Sequence, residues 1–401
     1  MSAAITSGGF ALHAQNAITA IEREGIEIAK WDLEGRPVSA QAEGVYYRRG
    51  ISGEVMARGR LERAGRVLPE ADRRSVLARL RALAADAEKA LRLAPAAPTE
   101  SIELEKRLEK ILSIGIETLE AERGKFLTVY RPVPILPPDR VLSFVVQLTE
   151  GCPWNRCSFC GLYPDRDFRV RGPDELAEHV RRALALFGRA AILRKSIYIG
   201  DGDPFTLPDG RILPLIDRIL ETFREEEARG TALPSPRDLY SFARLHSLRG
   251  RTAGSFAAFR ARGFRRLYIG VETGNPDLYR ILKKPGDLRD LPPVVQELRR
   301  AGLAVGLIFL VGVGGARFRA AHREASAQLV ASLPLGPDDL VYLSPFRLVE
   351  ESEYARWAAE EGIEPLERPA IGGEAAEMVR RMRVLGSRAK ASYYPLEHFV
   401  Y

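Results

Sequence analysis

The sequence predicts an α/β protein organised around a parallel sheet. From residue 141 onward, six strand-like apolar runs alternate with amphipathic helical stretches, and such alternation implies parallel pairing with crossover connections. Residues before about 140 do not share this pattern. Apolar residues make up 46% of the 401-residue chain and charged residues 28%. That is ordinary globular composition, and a chain this long can bury a sizeable core without disulfide staples.

The expected order begins with a helix around Ile18–Lys30, followed by a turn-rich region containing Gly44, Gly50, Gly53, Gly59 and Gly65. Val76, Leu77, Leu80, Leu83, Ala84, Ala87 and Leu91 recur at helical spacing and predict an amphipathic helix over Glu70–Leu93. Ala94–Pro98 reads as a linker, and Thr99 as the N-cap of a second helix reaching about Arg123. Pro132, Pro134, Pro137 and Pro138 mark an extended approach. Strands follow at 141–148, 196–200, 238–243, 266–272, 303–311 and 338–343. Helices are expected near 174–187, 213–228, 252–262, 291–301, 320–333 and 350–361. Six units form either an open (β/α)6 partial barrel or a doubly wound sheet. In both, functional groups gather at the C-terminal ends of the strands.

Leu303–Val313, the longest apolar stretch, is too short to span a bilayer. No basic segment followed by an apolar core opens the chain. The expectation is a cytoplasmic protein with no membrane span. Net charge is +7, and only nine of the 60 basic residues are lysine. No long basic block stands out, so nucleic acid is a possible but disfavoured partner beside a small-molecule or acidic substrate.

All three cysteines fall within nine residues, as Cys152-x4-Cys157-x2-Cys160, directly after the first barrel strand. An odd, clustered set without an export signal argues for a metal or redox site over disulfides. A short loop can wrap three thiolates around one [4Fe–4S] cubane and leave one iron without a cysteine. An open position of that kind can bind a substrate or cofactor. Structural zinc would need a fourth ligand, and none of His13, His179, His246, His322 or His398 lies in or beside the loop.

This loop resembles the cluster loop of the radical S-adenosylmethionine (SAM) superfamily. The usual signature there is C-x3-C-x2-C, with an aromatic residue before the last cysteine. Phe159 fills that position, and Cys152 lies one residue further upstream than usual. Later segments extend the resemblance over about residues 140–350. Gly200-Asp201-Gly202-Asp203-Pro204 is similar to the Gly-Gly-Glu-Pro motif whose polar groups receive the SAM ammonium. Gly270-Val271-Glu272-Thr273-Gly274 is similar to the G-x-E-[ST]-G segment, where Glu272 would reach the SAM ribose hydroxyls. Lys283 and Lys284 follow where relatives commonly have a lysine. The glycine-rich fifth strand, Gly306–Gly315 with Ile308, corresponds to the strand that packs on adenine. Tyr342–Arg347 would help to close that pocket, and Arg244 is a candidate for the SAM carboxylate. The Pro-rich approach and Leu148–Cys160 look most like poorly characterised members whose core is similar to oxygen-independent coproporphyrinogen oxidases.

The resemblance implies a partial (β/α)6 radical SAM barrel at 140–349, with a mixed, mainly helical extension at 1–139. Helices and an aromatic tail at 350–401 would cap it, with Tyr394 and His398 able to line the substrate cavity. The implied cofactors are one [4Fe–4S] cluster on Cys152, Cys157 and Cys160, and SAM bound by Phe159, Gly202, Asp203, Arg244, Glu272 and Ile308. The implied activity is reductive cleavage of SAM to a 5′-deoxyadenosyl radical, which abstracts hydrogen from an unidentified substrate. An electron donor such as flavodoxin or ferredoxin would serve it. Competing readings are a non-catalytic cluster- or cofactor-carrying chaperone of the same fold and an RNA-modifying radical SAM enzyme. Auxiliary clusters need further cysteines, which are absent, and residues 1–140 lack a D-x-H-x-x-G cobalamin signature.

Overall fold

The computed structural model describes residues 2–24, 27–60, 65–93, 98–230, 238–395 and 400–401. The first 67 residues are where it departs furthest from the sequence expectation. They form one antiparallel meander: β1 (Ser2–Ser7), β2 (Phe10–Gln15), β3 (Ile18–Arg23), β4 (Glu27–Trp31), β5 (Pro37–Ala42), β6 (Val45–Arg49), β7 (Val55–Gly59) and β8 (Arg66–Val67), paired in sequence order. The extension is therefore mixed, a sheet followed by helices, and the expected helix at Ile18–Lys30 is instead the strand pair β3 and β4. The physical reason is period. In β4, Glu27, Ala29 and Trp31 are buried while Ile28 and Lys30 are exposed. That is the two-residue alternation of a strand with one covered face. β-Branched Ile18, Thr19, Ile21 and Ile28 favour it further.

Helices α1 (Glu70–Arg92) and α2 (Pro98–Ser113) cover that face. Leu80, Leu83, Ala84, Ala87, Leu104, Leu108 and Ile111 pack against Leu12, Ile21 and Trp31. The helix expected over Thr99–Arg123 is broken at Ile114–Gly115, and α3 (Ile116–Val129) resumes beyond. Ala94–Ala97 of the expected linker lie outside the described residues. The meander is fastened to the rest of the chain by Arg36. Its guanidinium pairs with Asp32 at 2.9 Å and donates to the carbonyls of Leu186 and Phe187 at 2.9 and 2.5 Å.

The second sheet is parallel throughout. Its strands are β9 (Phe144–Gln147), β12 (Ser196–Gly200), β13 (Asp238–Ala243), β14 (Phe264–Glu272), β15 (Ala304–Val311), β16 (Leu340–Pro345) and β17 (Lys390–Tyr393), side by side in that order. Between β9 and β12 a short ribbon, β10 (Thr149–Glu150) with β11 (Arg169–Val170), flanks the cysteine loop. The helices are α4 (Pro173–Phe187), α5 (Asp209–Ala228), α6 (Leu245–Leu248), α7 (Ala253–Ala261), α8 (Pro276–Ile281), α9 (Leu291–Arg300), α10 (Gly315–Ser332), α11 (Glu353–Glu360) and α12 (Arg368–Val384). α9 shows why they form: Leu291, Val294, Val295 and Leu298 are buried at helical spacing on one face. All six expected strands and helices of this region form, within a few residues of their expected bounds.

A seventh strand, β17, was not expected. Part of the C-terminal segment read as a cap completes the barrel: β17 pairs with β16, and α12 places Ile371, Ala375 and Met378 in the barrel's core cluster. Tyr394 and Tyr401 of the aromatic tail are packed inside. Tyr394 donates to the carbonyl of Leu136, and the hydroxyl of Tyr401 accepts from the Val145 amide of β9 at 2.9 Å. His398 lies outside the described residues.

Inside the barrel, Gly306 sits opposite Tyr268 on the neighbouring strand. A Cβ on Gly306 would lie 2.4 Å from Cδ1 of that ring. Glycine is what lets the ring lie across β15. Both Tyr268 and Tyr342 donate to Asp139, at 2.8–2.9 Å. Arg266 pairs with the same carboxylate at 2.9 Å. Asp139 thus closes the barrel at the N-terminal end of its strands. Among the described residues, no helix is long and apolar enough to cross a membrane.

Candidate active site

At the opposite end the strands empty into one mouth, and every cofactor residue expected from the sequence lies on β15 or at a strand's end there, or in the cysteine loop. That loop leaves β10 through Gly151, whose φ of +72° suits glycine. Cys152 and Cys157 are half-buried and Cys160 is exposed, and none is in a disulfide. The loop is stapled at several points. Asn155 donates its side-chain amide to the Tyr163 carbonyl at 2.9 Å, and its backbone amide to Cys152 Sγ at 3.4 Å. Ser158 donates through its amide to Leu282 O at 3.1 Å and through its hydroxyl to Ile281 O at 2.8 Å. Trp154 Nε1 donates to Lys283 O at 2.9 Å. Phe159 turns away into an apolar cluster with Leu278, Leu282, Leu310 and Tyr354, so it anchors the loop from behind.

Among the described residues, no three His, Cys, Asp or Glu side chains converge as ligands of a single metal ion would. A cubane makes a different demand, one thiolate on each of three irons. Three cysteines on one anchored loop, free of disulfides and open to the mouth, fit that demand. Burial pushes the Cys157 thiol up to about 12, and the Lys284 ammonium acts against that rise.

The turn after β12 lies directly on this loop. A Cβ on Gly202 would stand 2.6 Å from Gly151 O and 3.2 Å from the Cα of Cys152. The glycine therefore makes room for the cysteine loop itself. Asp201 beside it is buried; its amide donates to the Thr149 carbonyl at 2.8 Å, and its carboxylate faces Gln147 and Arg166 at 3.4 Å. Desolvation raises its pKa to about 7, with Arg166 opposing.

Asp203 and Arg244 were expected to meet SAM separately, one at the ammonium and one at the carboxylate. The structure couples them. Asp203 is 0% exposed. One of its oxygens accepts from the Phe205 amide at 3.1 Å, and the other from Arg244 Nε at 2.7 Å and the Ser247 hydroxyl at 2.5 Å. Such a carboxylate has little left to offer a ligand directly. Arg244 retains 15% side-chain exposure.

Glu272 ends β14 at φ +67°. Its carboxylate folds back over Gly270, where a Cβ would meet Oε1 at 2.3 Å, and accepts from Lys284 Nζ at 2.6 Å. Behind the turn, the Thr273 hydroxyl meets His322 Nδ1 at 2.7 Å and accepts from the Asn275 amide at 3.0 Å. On the neighbouring strand β15, Ile308 is buried and pairs with Gly270 and Tyr342 in register. The hydroxyls of Tyr198 and Ser344 are buried and find no hydrogen-bond partner among the described residues. Buried polar groups normally have one. The sequence reading named no individual role for Lys284, Ser247, Asp201, Tyr198 or Ser344. Lys284, Asp201 and Ser344 had signals in the segments they belong to, and Ser247 and Tyr198 had none.

Residues 146–318 match the family described as the Radical SAM superfamily. No curated protein matches the chain. Among solved structures, coproporphyrinogen III oxidase from Escherichia coli is 17% identical over 68% of this chain and 57% of its own, with a TM-score of 0.42. Methylornithine synthase is 14% identical over 67% and 81%, with a TM-score of 0.39. The methyltransferase TsrM from Kitasatospora setae is 16% identical, with a TM-score of 0.40. The chain spans 37% of TsrM's length and 51% of the Methanocaldococcus infernus Elp3 chain. The match over 146–318 carries both the cysteine loop and the strand ends around it, and this segment is similar to the radical SAM superfamily, whose members bind a [4Fe–4S] cluster and SAM.

Proposed function

We propose that this chain is a radical SAM enzyme acting on a substrate not yet identified. The observation that carries the proposal is the gathering of Cys152, Cys157 and Cys160 at the mouth of a parallel barrel, beside two polar pairs, Asp203–Arg244 and Glu272–Lys284. Cys152, Cys157 and Cys160 would hold the cluster. When bound, it supplies the electron that splits SAM into methionine and a 5′-deoxyadenosyl radical, which takes hydrogen from the substrate. The chain's own groups bind and orient. Arg244, held in place by Asp203 and Ser247, would donate to the SAM carboxylate. Glu272 would accept from ribose hydroxyls, and Ile308 would give the adenine an apolar wall. Gly202 keeps the β12 turn against the cysteine loop. The hydroxyls of Tyr198 and Ser344 offer hydrogen bonds deeper in the barrel. The surrounding aromatic interior excludes water and competing hydrogen donors. A reductant such as flavodoxin or ferredoxin would deliver the electron.

Anaerobic reconstitution tests this reading. The expected product holds about four irons and four sulfides per chain, as one cubane requires, and forms 5′-deoxyadenosine from SAM on reduction. Cys157→Ala should lose both and remain folded. Stoichiometric zinc without charge-transfer absorption, or full SAM cleavage by Cys157→Ala, would overturn it.

A further inference from the structure

The segment following β14 serves the site twice. Its backbone holds the cysteine loop, since Ile281 O, Leu282 O and Lys283 O accept from Ser158 and Trp154, on either side of Cys157. The next side chain, Lys284, turns inward with 9% exposure and donates to Glu272 at 2.6 Å. Its Nζ would stand 3.1 Å from a Cβ on Gly270. Three carbonyls in a row thus fix the register between Lys284 and Cys157. Glu272 keeps the Lys284 ammonium ion-paired in this buried position.

We infer that Lys284 is a positioning charge for the cluster: a buried ammonium held next to the cysteine loop that raises the cluster's reduction potential, partly offset by Glu272. The inference rests on the reading of the three cysteines as cluster ligands. One electron added to a cluster makes it one unit more negative. A cation in a poorly screened site stabilises that reduced form more than the oxidised one, and a carboxylate does the opposite. Cluster potentials respond to local charge and solvent access in this way. Lys284 and Glu272 should therefore move the potential in opposite directions.

The test is a redox titration without SAM, followed by electron paramagnetic resonance of the reduced cluster. Wild type, Lys284→Met, Lys284→Arg and Glu272→Gln are each loaded anaerobically with iron and sulfide. At the wild-type midpoint, the reduced-to-oxidised ratio should fall about tenfold in Lys284→Met, which is about 59 mV for a one-electron couple. Lys284→Arg should stay near wild type, and Glu272→Gln should rise. If Lys284→Met carries wild-type iron and titrates with wild type, the inference is wrong and the cluster reading stands. If wild type itself takes up no iron, the cluster reading fails. Should Lys284→Met alone not load, Glu272→Gln decides: a rise supports the inference, and an unmoved or lowered midpoint overturns it.

Discussion

Asp203 holds Arg244. The carboxylate is wholly buried, and Arg244 Nε donates to it at 2.7 Å from the end of the next strand. The pair makes the third strand's arginine a fixed donor aimed into the mouth. Removing either partner should therefore be felt through the other.

Arg244→Ala should weaken SAM binding about tenfold to a hundredfold, the loss of a charge-assisted hydrogen bond of roughly 1.5–3 kcal/mol. Asp203→Asn should weaken it less, and the double variant should be no worse than Arg244→Ala. Coupled residues behave so, whereas independent ones add. Calorimetry on the loaded variants, beside an iron assay, checks this. Additive losses would mean that Asp203 contacts the ligand on its own account.

Gly202→Ala should lower iron loading more than it lowers stability. Its Cβ would meet Gly151 O at 2.6 Å and the Cα of Cys152 at 3.2 Å, so the loop must move to admit it. Overpacking of this kind costs about 1–3 kcal/mol, and here the strain falls on the first cysteine. Iron per chain and the thermal midpoint of the metal-free protein separate the two effects. Wild-type loading would show that the loop yields freely.

Asp139→Ala should destabilise the barrel by about 1–3 kcal/mol, because the hydroxyls of Tyr268 and Tyr342 and the Arg266 guanidinium lose a shared acceptor. The site lies at the other end of the strands, so iron content should not change. Denaturant titration of the metal-free protein measures the loss.

Acid sensitivity should trace in part to His179. Its Nε2 accepts from the Gln147 amide at 3.2 Å, and Nδ1 meets the Val129 carbonyl at 3.2 Å. Burial first, and Arg171 second, lower its pKa to about 3 from an ordinary 6.5. Between those values the unfolded chain binds a proton that the folded chain refuses. Stability therefore falls as pH falls from about 6.5 towards 3, by up to about 1.4 kcal/mol per pH unit from this group. His179→Gln should flatten the dependence by that slope. A parallel curve for the variant would show that other groups carry the acid sensitivity.

The sequence by itself determined six alternating strand–helix units and the cysteine loop, and the family resemblance chose the barrel over a doubly wound sheet. Strand and helix periods differ, so the units could be read directly, and three cysteines spaced for one loop admit few uses. Glu272 and Asp203 were legible as strand-end residues because their motifs are local. What only the tertiary structure decided were relations between distant segments. Nothing in Ile18–Lys30 shows which neighbour will cover one face, and that cover decides whether a short apolar run becomes strand or helix. Lys390–Tyr393 is too short to read as a strand without β16 beside it. The partners of Asp203, Gly202 and Lys284 lie 41, about 50 and 12 residues away. A side chain's role there is set by which group reaches it first through space, and a buried Asp203 already held by Arg244 cannot offer an ammonium what an exposed one could.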